Sequence, residues 1–527
     1  MLRISNLKLP LGAELSAPAR LVARALGLRE GDVPSARLVK KSVDARDKRD
    51  VHFVASIEFD CALPASRLAP PRGAQLQAAE PPAWRAPHAA PGKRRPVVVG
   101  LGPAGLFAAL VLARAGLAPL VLERGRPVDR RTEDVRAFWR TGALDPNSNV
   151  QFGEGGAGAF SDGKLTTGIS DARCRLVLET LYEHGAPEQV LYDAKPHIGT
   201  DRLPGVVASI RREVERLGGE VRFETRLDRL ILEGGRLQGI VADAADIEAE
   251  QIILAVGHSA RDTFEALFAQ GVPMQPKPFS IGARIEHSQR MIDRAQYGSA
   301  AGHPALGAAD YKLSAKAADG RGVYTFCMCP GGTVVAAASE SDMIATNGMS
   351  AWARDGANAN SALLVSVGPA DYGASPLDGL AFQRRWERTA FELGGGGYRA
   401  PAQLVGDFLQ GVPSRGAGDV EPTYRPGVAY ADLARCLPPF AVAAMKKGLC
   451  DMDRRLRGFA GAGALLTGVE TRSSSPLRLP RGANCASAIR GLYPCGEGAG
   501  YAGGIMSAAV DGVRCAEALI EGVNGHA

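Results

Sequence analysis

The stretch VVVGLGPAGLFAALVLARAGLAPLVLERG (residues 97–125) carries the pattern that decides the fold. Its leading valines predict a short buried strand, its glycines begin a helix, and residues 118–125 predict a second buried strand. A strand, a helix and a second strand within about 30 residues form the βαβ unit of a parallel, doubly wound sheet. We therefore predict a Rossmann-like α/β fold here.

The glycines of this stretch have the spacing of a dinucleotide-binding turn. Gly100 permits the tight turn, Gly102 lets the backbone approach a pyrophosphate, and Gly105 allows close packing of helix and strand. The pyrophosphate would lie at the helix N-terminus, at Pro103 and Ala104, where free N–H groups and the helix dipole favour an anion. The turn is therefore predicted to bind a dinucleotide that contains ADP.

Two charged residues, Glu123 and Arg124, end the second predicted strand and are expected to contact the same nucleotide. Glu123 stands 23 positions after Gly100, where a carboxylate accepts hydrogen bonds from the ribose hydroxyls of an adenosine. The same carboxylate would repel a 2′-phosphate, which disfavours NADP. The motif alone does not distinguish FAD from NAD.

A second glycine run, GLYPCGEGAGYAGGIMSAAVDG (residues 491–512), repeats the G-x-G-x-x-G spacing at Gly498, Gly500 and Gly503. A predicted strand precedes it and a predicted helix follows it, but no second strand with an acidic residue comes before Ala527. We therefore expect that it forms no independent nucleotide site. It is either a turn needed only for packing or a second wall of the first site.

The second-wall interpretation rests on Gly496, Glu497, Gly503 and Gly504. Backbone N–H groups at the glycines and a nearby carboxylate suit the ring and the ribitol chain of a flavin. NAD has no central polyol, so the run favours FAD over NAD. The two glycine runs are thus predicted to hold one FAD from its two ends.

The chain of 527 residues is too long for one ordinary core, so we expect several domains. Residues 61–96 hold many prolines and little apolar periodicity, as a linker does. The resulting fold class is α/β, with a doubly wound FAD-binding domain, an inserted α+β substrate domain and a small N-terminal α+β domain. The predicted division is 1–60 (N-terminal domain), 61–95 (proline-rich linker), 96–275 (FAD-binding domain, first part), 276–440 (inserted substrate domain) and 441–527 (FAD-binding domain, C-terminal part).

The composition argues against several other classes. The net charge is +6 without a dense Lys/Arg block, so we expect no nucleic-acid partner. The most apolar stretch carries Arg114 and is better interpreted as a strand and helix than as a membrane span. The nine cysteines lack disulfide or zinc spacing and the start lacks a signal-peptide core, so we expect a cytoplasmic protein without a metal site.

Five stretches together resemble a known family. Residues 97–125 and 492–512 resemble FAD-dependent oxidoreductases with a glutathione-reductase-like FAD domain. With residues 149–168, 277–287 and 324–340 added, the whole chain is most similar to a family described as uncharacterised FAD-dependent dehydrogenases. The resemblance implies FAD and redox chemistry, and it brings no substrate.

The resemblance also assigns further residues to the cofactor. Leu227 occupies the place where related flavoproteins hold the adenine by backbone atoms, and Gly257 resembles the strand end that passes close to the cofactor. Gly496 and Glu497 match a pair that is more often Gly-Asp, so the longer glutamate leaves direct ribitol contact less secure.

The glycine-rich segment 153–164 is expected to lie against the flavin. Gly155, Gly156 and Ser161 would offer N–H groups and a hydroxyl to the ring or to a bound anion. A cation at Lys164 near flavin N1 would stabilise the reduced ring, so Lys164 is a catalytic candidate. The alternative is a solvated loop lysine.

Two more side chains are candidates for acid–base catalysis. His258 lies beside the predicted cofactor segment after Gly257, and Tyr501 lies within the second glycine run, where it can donate a proton or pack on the ring. His197 and His287 are candidates of the same kind, and for each of the three histidines a structural hydrogen bond is the alternative.

Cys327 and Cys329 form C-x-C rather than the C-x-x-C of dithiol flavin reductases. We therefore expect core cysteines on a strand and no disulfide relay of the glutathione-reductase type.

The sequence thus predicts an FAD-dependent oxidoreductase that passes hydride between an unidentified small substrate and flavin N5. No second βαβ fingerprint for a nicotinamide is present, so NADH or NADPH would dock only transiently as reductant. Alternatives are a flavin monooxygenase and a non-catalytic FAD-binding redox protein whose N-terminal domain contacts a partner.

Overall fold

The computed structural model describes residues 1–79, 84, 87–89 and 95–524. The chain begins with a four-stranded antiparallel sheet in the order β2-β3-β1-β4, with one helix packed on it. Phe53, Ile57 and Phe59 of the central strand fill its core. The elements are β1 (Leu2–Leu9), α1 (Pro18–Leu26), β2 (Ser35–Asp44), β3 (His52–Asp60) and β4 (Gln75–Ala78).

Strand β4 corrects the predicted linker 61–95. It pairs with β1 from Leu2–Ala78 to Ser5–Gln75, so the N-terminal sheet continues to residue 78. The prolines around this segment suggested a linker. Four residues are nevertheless enough to form an edge strand that pairs with β1. Part of the linker prediction, including residues 80–83 and 90–94, lies outside the described residues.

The predicted βαβ unit is present at its predicted place, and four more helices, a small β-sheet and two further strands of the parallel sheet follow it. Val97–Val99 and Leu120–Leu122 are both fully buried strands, and the helix between them is buried along most of its length. The elements are β5 (Val97–Val99), α2 (Pro103–Arg114), β6 (Leu120–Leu122), α3 (Val128–Thr141), α4 (Arg173–Glu183), α5 (Leu203–Arg216), β7 (Glu220–Arg222), β8 (Leu227–Glu233), β9 (Arg236–Ala242), β10 (Ala245–Glu248), β11 (Ile252–Leu254) and α6 (Arg261–Ala269).

The inserted unit is built on a seven-stranded sheet in the order β14-β15-β18-β13-β21-β19-β20. Its elements are β12 (Gln275–Pro276), β13 (Phe279–Ser288), α7 (Gln289–Tyr297), β14 (Ser314–Lys316), β15 (Gly322–Cys329), β16 (Thr333–Ala336), β17 (Thr346–Met349), β18 (Asn358–Val367), α8 (Pro369–Tyr372), α9 (Asp378–Leu393), β19 (Ala400–Leu404), α10 (Val405–Gln410), β20 (Val428–Tyr430), α11 (Pro439–Asp453), β21 (Leu465–Glu470) and β22 (Leu477–Arg478).

The boundary predicted at residue 440 is therefore too early. Strand β21 pairs with both β13 and β19 in the middle of this sheet, so the inserted unit extends to Glu470. Helix α11 packs on the same sheet. The sequence did not predict that the chain returns to this sheet. Strand β21 is buried throughout, and an apolar strand does not show from its sequence which sheet it joins.

The chain then re-enters the first sheet through β23 (Leu492–Pro494) and ends in α12 (Ile505–Asn524). The sheet has the order β23-β11-β5-β6-β7, and all four pairings are parallel. Helix α12 packs closely on α2, because Gly512 lies against the Ala104 backbone. This is the predicted doubly wound sheet, and it brings the second glycine run beside the first. Among the described residues, no helix combines the length and the apolar character needed to cross a bilayer.

Candidate functional site

A cavity of about 990 Å³ lies where the parallel strands end. Residues Val99, Leu122, Ala255 and Cys495, at or just beyond the carboxyl ends of four of the strands, line it. Ligands of doubly wound sheets bind at this edge. The remaining walls come from segments within 151–169, 225–227, 325–328, 345–347 and 470–473. The cavity is therefore enclosed by both the parallel sheet and the inserted unit.

The first glycine turn has the geometry that its spacing predicts. Gly100 has φ +97°, and a Cβ there would lie 2.4 Å from the Ala255 oxygen. A Cβ on Gly105 would lie 1.8 Å from the Gly100 oxygen, and Gly105 is not in the cavity wall. At Gly102 the nearest heavy atom is 3.7 Å away, on Gly156. Gly100 and Gly105 are thus required by the backbone, whereas Gly102 faces open space together with Pro103 and Ala104.

Glu123 is buried at the cavity wall and organises three loops. Its carboxylate accepts backbone N–H bonds from Leu101 at 2.8 Å, Gly125 at 2.9 Å and Gly153 at 2.9 Å. A carboxylate offers about four acceptor positions, so one remains for a ligand hydroxyl. Glu123 therefore joins the first glycine turn to the glycine-rich segment and can still contact a ligand.

Arg124 and Leu227 lie on the same side of the cavity as Glu123. The guanidinium of Arg124 stacks on Phe152 at 4.2 Å and is paired with Asp262 at 2.5 Å. Leu227, the first residue of β8, is almost completely buried in the cavity wall. A flat ring held here would meet apolar side chains and main-chain atoms, as expected for an adenine.

Only some residues of the glycine-rich segment 153–164 line the cavity. Gly156 lines it close to Gly102, but a Cβ on Gly155 would point at Ala159 and Val207, away from the cavity. Gly155 is instead needed for its backbone, which has φ +85°. The Ser161 hydroxyl lines the cavity, but it already donates to the Gly158 oxygen and accepts from the Gly163 N–H.

Lys164 is bound to the inserted unit. Its ammonium donates to the Met328 carbonyl and lies 3.2 Å from a carboxylate oxygen of Asp162. Arg354 pairs with the same carboxylate, with Nε 2.9 Å from Oδ1. Burial disfavours the charged lysine, but Cys329, Asp162 and Cys327 outweigh it and raise the pKa of Lys164. The solvated loop lysine considered as an alternative does not match this position.

His258 and Glu497 face each other across the cavity wall, with Nε2 and Oε1 3.9 Å apart. Burial, helped by the charges of Arg472, Arg261 and Lys277, lowers the pKa of His258 to about 3. Burial raises the pKa of Glu497 to about 7, although Lys277 opposes it. At neutral pH the histidine is therefore uncharged, and the carboxyl is the group that exchanges a proton.

Tyr501 lines the cavity. Its hydroxyl oxygen accepts the Arg481 N–H at 3.1 Å, and the guanidinium of Arg481 stacks on the ring at 3.8 Å. That bond uses the oxygen only as an acceptor, so the hydroxyl proton is left for donation to a ligand. His197 and His287 lie outside the cavity wall and bond to the main-chain oxygens of Trp352 and Phe459, at 3.0 and 2.8 Å.

The second glycine turn completes the same cavity. Gly496, with φ +76°, donates to Asp511 at 2.7 Å, and a Cβ on Gly498 would strike the Gly257 backbone. Gly257, Gly496, Gly503 and Gly504 all line the cavity. The two turns thus line one cavity in this structure.

Two residues of the cavity wall were not anticipated. Arg472, just after β21, donates to Glu387 and to the Ser339 hydroxyl, and it is almost fully buried. Its only signal in the sequence was a polar run directly after an apolar strand. Cys327 also lines the cavity, so the expectation of a core cysteine holds for buried Cys329 and is wrong for Cys327.

One group of potential metal ligands occurs in the described part of the chain. Cys495, Asp511 and Cys515 place their ligand atoms within 4.8 Å of one another. The guanidinium of Arg481 donates to Asp511 and lies 3.2 Å from the Cys515 sulfur. The positive charge beside these three side chains is therefore the guanidinium of Arg481.

The cavity fits FAD on its own features. It has free space at Gly102, the buried carboxylate of Glu123 and the titratable carboxyl of Glu497 in its wall, and a volume sufficient for an extended dinucleotide. Bound there, FAD would supply hydride or electron transfer.

Comparison with known proteins agrees with an FAD site. A family profile described as "FAD-dependent protein, C-terminal domain-like" matches residues 278–473. An uncharacterized protein of Clostridium beijerinckii is 49% identical over 525 residues, covering 99% of this chain and 98% of that protein. The chain belongs to a family of FAD-dependent proteins. Residues 1–60 of this FAD-dependent protein match a domain of unknown function, DUF8436.

More distant similarities of this FAD-dependent protein are partial. A probable electron transfer flavoprotein-quinone oxidoreductase, YdiS of Escherichia coli, is 31% identical over 163 residues, and the match spans 36% of its length and 31% of this chain. A quinol fumarate reductase subunit of E. coli aligns with 12% identity and a TM-score of 0.38, over 82% of this chain and 71% of that one. A geranylgeranyl bacteriochlorophyll reductase-like protein of Thermoplasma acidophilum aligns with 14% identity and a TM-score of 0.34, over 82% and 79%. Likenesses this low carry no argument about the reaction.

Proposed function

We propose that this protein is an oxidoreductase that passes hydride between a small-molecule substrate and N5 of FAD. The carrying observation is that one cavity is walled by both glycine turns and by strand β15 of the inserted unit. The glycine turns and Glu123 would hold the dinucleotide, and β15 would line the part of the cavity left for the substrate. Cofactor and substrate would therefore meet in one cavity between the parallel sheet and the inserted unit.

Each residue of the cavity wall has a separate role in this proposal. Glu123 would bind the adenosine ribose, Gly102 would admit the pyrophosphate, and Arg124 with Leu227 would hold the adenine. Glu497, with its pKa of about 7 and uncharged His258 3.9 Å away, would hold or release the proton that accompanies hydride transfer. Tyr501 would pack beside the ring.

The test uses the full-length protein and its flavin absorbance. The protein is saturated with FAD, freed of excess, and treated anaerobically with dithionite, NADH or NADPH in separate samples. We expect dithionite to bleach the bound flavin and one of the two nicotinamides to do so as a transient donor. If none of the three bleaches it, the oxidoreductase proposal is contradicted and a non-catalytic FAD-binding role replaces it.

Oxygen distinguishes the enzymatic alternatives. When air is admitted to the reduced protein, slow reoxidation without a hydroxylated product fits a dehydrogenase or reductase. Rapid reoxidation coupled to a hydroxylated product would instead identify a flavin monooxygenase. The N-terminal unit supplies no residue to the cavity wall, and contact with a protein partner is the role we propose for it.

A further inference from the structure

Two cysteines of the inserted unit lie at the end of β15, beside the cavity. The pairing of β15 with β18 shifts between Phe326 and Cys329, and Cys327 lies in the left-handed region with φ +44°. At this bulge Cys327 enters the cavity wall, whereas Cys329 is fully buried. One thiol of the pair can therefore be reached from the cavity and the other cannot.

The two cysteines lie close together. The Cys329 sulfur donates to the main-chain oxygen of Cys327 at 3.3 Å. In thiol–disulfide exchange an accessible thiolate attacks the disulfide and a second thiol next to it resolves the mixed disulfide. The geometry gives Cys327 the first role and Cys329 the second.

Cations of the chain lie against this pair. Lys164 donates to the carbonyl of Met328, between the two cysteines, and Arg284 donates to the Cys327 oxygen at 2.9 Å. The neighbouring Cys329 thiol, together with Lys164 and Arg284, overcomes burial and holds the pKa of Cys327 well below its usual value. The neighbouring Cys327 thiol, reinforced by burial, raises the pKa of Cys329.

Three carboxyl groups also face the pair and oppose a thiolate there. Asp162 is paired with Lys164 and Arg354, and Glu470 is paired with Arg284 at 3.0 Å. Glu497 is partly protonated near neutral pH. The negative charges around Cys327 are therefore largely compensated.

We propose, against the expectation from the C-x-C spacing, that Cys327 and Cys329 form a redox-active dithiol that exchanges an electron pair with the flavin in the same cavity, with a disulfide as the substrate class. The inference rests on the proposed function and names its substrate. The Cys327 thiolate attacks the substrate disulfide and releases one thiolate. The Cys329 thiol then displaces the second thiol and closes the Cys327–Cys329 bond. The Cys327–Cys329 bond would take up two electrons and one proton, which gives a thiolate and a thiol. A flavin bound in the cavity would supply them, and the nicotinamide of the proposed function would be the final donor.

One tryptic peptide reports on the pair, because residues 322–354 contain both cysteines and no other. The full-length protein, with and without saturating FAD, is oxidised anaerobically with hydroxyethyl disulfide and then freed of reagent. The mass of the peptide is measured by mass spectrometry before and after dithionite is added, and the thiols present at each stage are alkylated. We expect the peptide to lose two hydrogen atoms on oxidation, and to regain them much faster in the FAD-bound sample.

The outcomes separate this inference from the proposed function. A peptide that never loses the two hydrogens overturns the dithiol, and recovery at equal rates with and without FAD overturns the electron exchange. The flavin absorbance of the same sample tests the proposed function independently, since it reports binding and bleaching whatever the cysteines do.

Single variants assign the two roles. Cys329→Ser should keep a mixed disulfide with the reagent at Cys327, because the resolving thiol is gone. Cys327→Ser should form neither product in this peptide. Cys450→Ser, which changes an exposed cysteine outside the cavity wall, should behave as the wild type. A Cys329→Ser protein that binds FAD but carries no mixed disulfide contradicts the attack by Cys327.

Lys164 is a positioning residue in this scheme, and alkylation measures its effect without turnover. Lys164→Met should lower the alkylation rate of Cys327 at neutral pH by about tenfold, since one pKa unit changes the thiolate fraction by that factor. Lys312→Met alters another lysine of the same cavity wall and should leave the rate unchanged. Equal rates in the two variants contradict the role of Lys164.

Discussion

At the scale of single residues, Glu123 shows how one carboxylate serves both the fold and the proposed ligand. It accepts three backbone N–H bonds from three loops that meet at the cavity. Glu123→Gln replaces one acceptor oxygen by an NH₂ group, which leaves at least one buried N–H without a partner. We expect about 1–3 kcal/mol lower free energy of unfolding and about tenfold weaker FAD binding.

Urea unfolding and FAD titration of the same preparation measure the two effects. Glu248→Gln, on an exposed strand of the small sheet, is the matched control and should change neither quantity. A Glu123→Gln protein that retains full flavin affinity would exclude the ribose role.

A second residue-scale prediction concerns Glu497 and pH. Its folded pKa of about 7 is above the ordinary 4.5, so the unfolded chain loses this proton first as pH rises. The carboxyl therefore lowers the free energy of unfolding between about pH 4.5 and 7, by at most about 3 kcal/mol. Glu497→Gln cannot ionise, so its stability relative to the wild type should increase across this window and then stay constant.

Urea unfolding of the flavin-free protein at about pH 5 and about pH 8 measures that difference. His258, whose lowered pKa costs stability as pH falls below 6.5, contributes to both proteins and largely cancels. A difference that does not change with pH would show that Glu497 titrates normally.

At the scale of elements, the first glycine turn contains two glycines, Gly102 and Gly105, with different roles. A Cβ at Gly105 would lie 1.8 Å from the Gly100 oxygen, whereas a Cβ at Gly102 would meet nothing closer than 3.7 Å. Gly105→Ala should therefore separate α2 from β5 and destabilise the protein by at least about 3 kcal/mol. Gly102→Ala should leave the free energy of unfolding within about 0.5 kcal/mol but weaken FAD binding by at least about tenfold.

Thermal unfolding followed by circular dichroism and FAD titration distinguish the two variants. The pair serves as its own control, because each substitution adds the same methyl group to the same turn. If Gly102→Ala binds FAD as the wild type does, the pyrophosphate does not lie at this turn.

Element prediction from the sequence succeeded where the local pattern is strong. The βαβ unit at residues 97–122 is found as predicted, because a buried strand, a glycine turn and an apolar helix each leave a local signal. Strands β4 and β21 were misassigned, since a four-residue edge strand and a buried return strand are recognised only by what they pair with.

At the scale of the whole molecule, a buried charge network joins the two main units. Glu387 of α9 accepts from Arg261 of α6 at 2.7 and 2.9 Å and from Arg472 after β21 at 2.8 and 3.0 Å. Burial opposes its ionisation, but the two guanidinium groups hold the pKa of Glu387 well below its usual range. Removing this charge would leave two buried cations undercompensated.

Glu387→Gln should therefore lower the free energy of unfolding by about 3–5 kcal/mol, and both units should lose stability. Glu265→Gln is the matched control, because that more exposed carboxylate pairs with Arg384 and should contribute under about 1 kcal/mol. Calorimetry of the two variants measures the difference. Similar transitions for both would show that the network does not couple the units.

The sequence by itself determined the parallel sheet and the backbone roles of Gly100 and Gly105. These follow from local rules, namely strand periodicity and turn sterics, whereas the second glycine run was left with two interpretations. Only the tertiary structure decided that Lys164 binds β15, that Cys327 faces the cavity, and that Arg472 and Glu387 link the units. Those contacts join residues far apart in the chain, and their energies come from burial and charge pairing that no local pattern records.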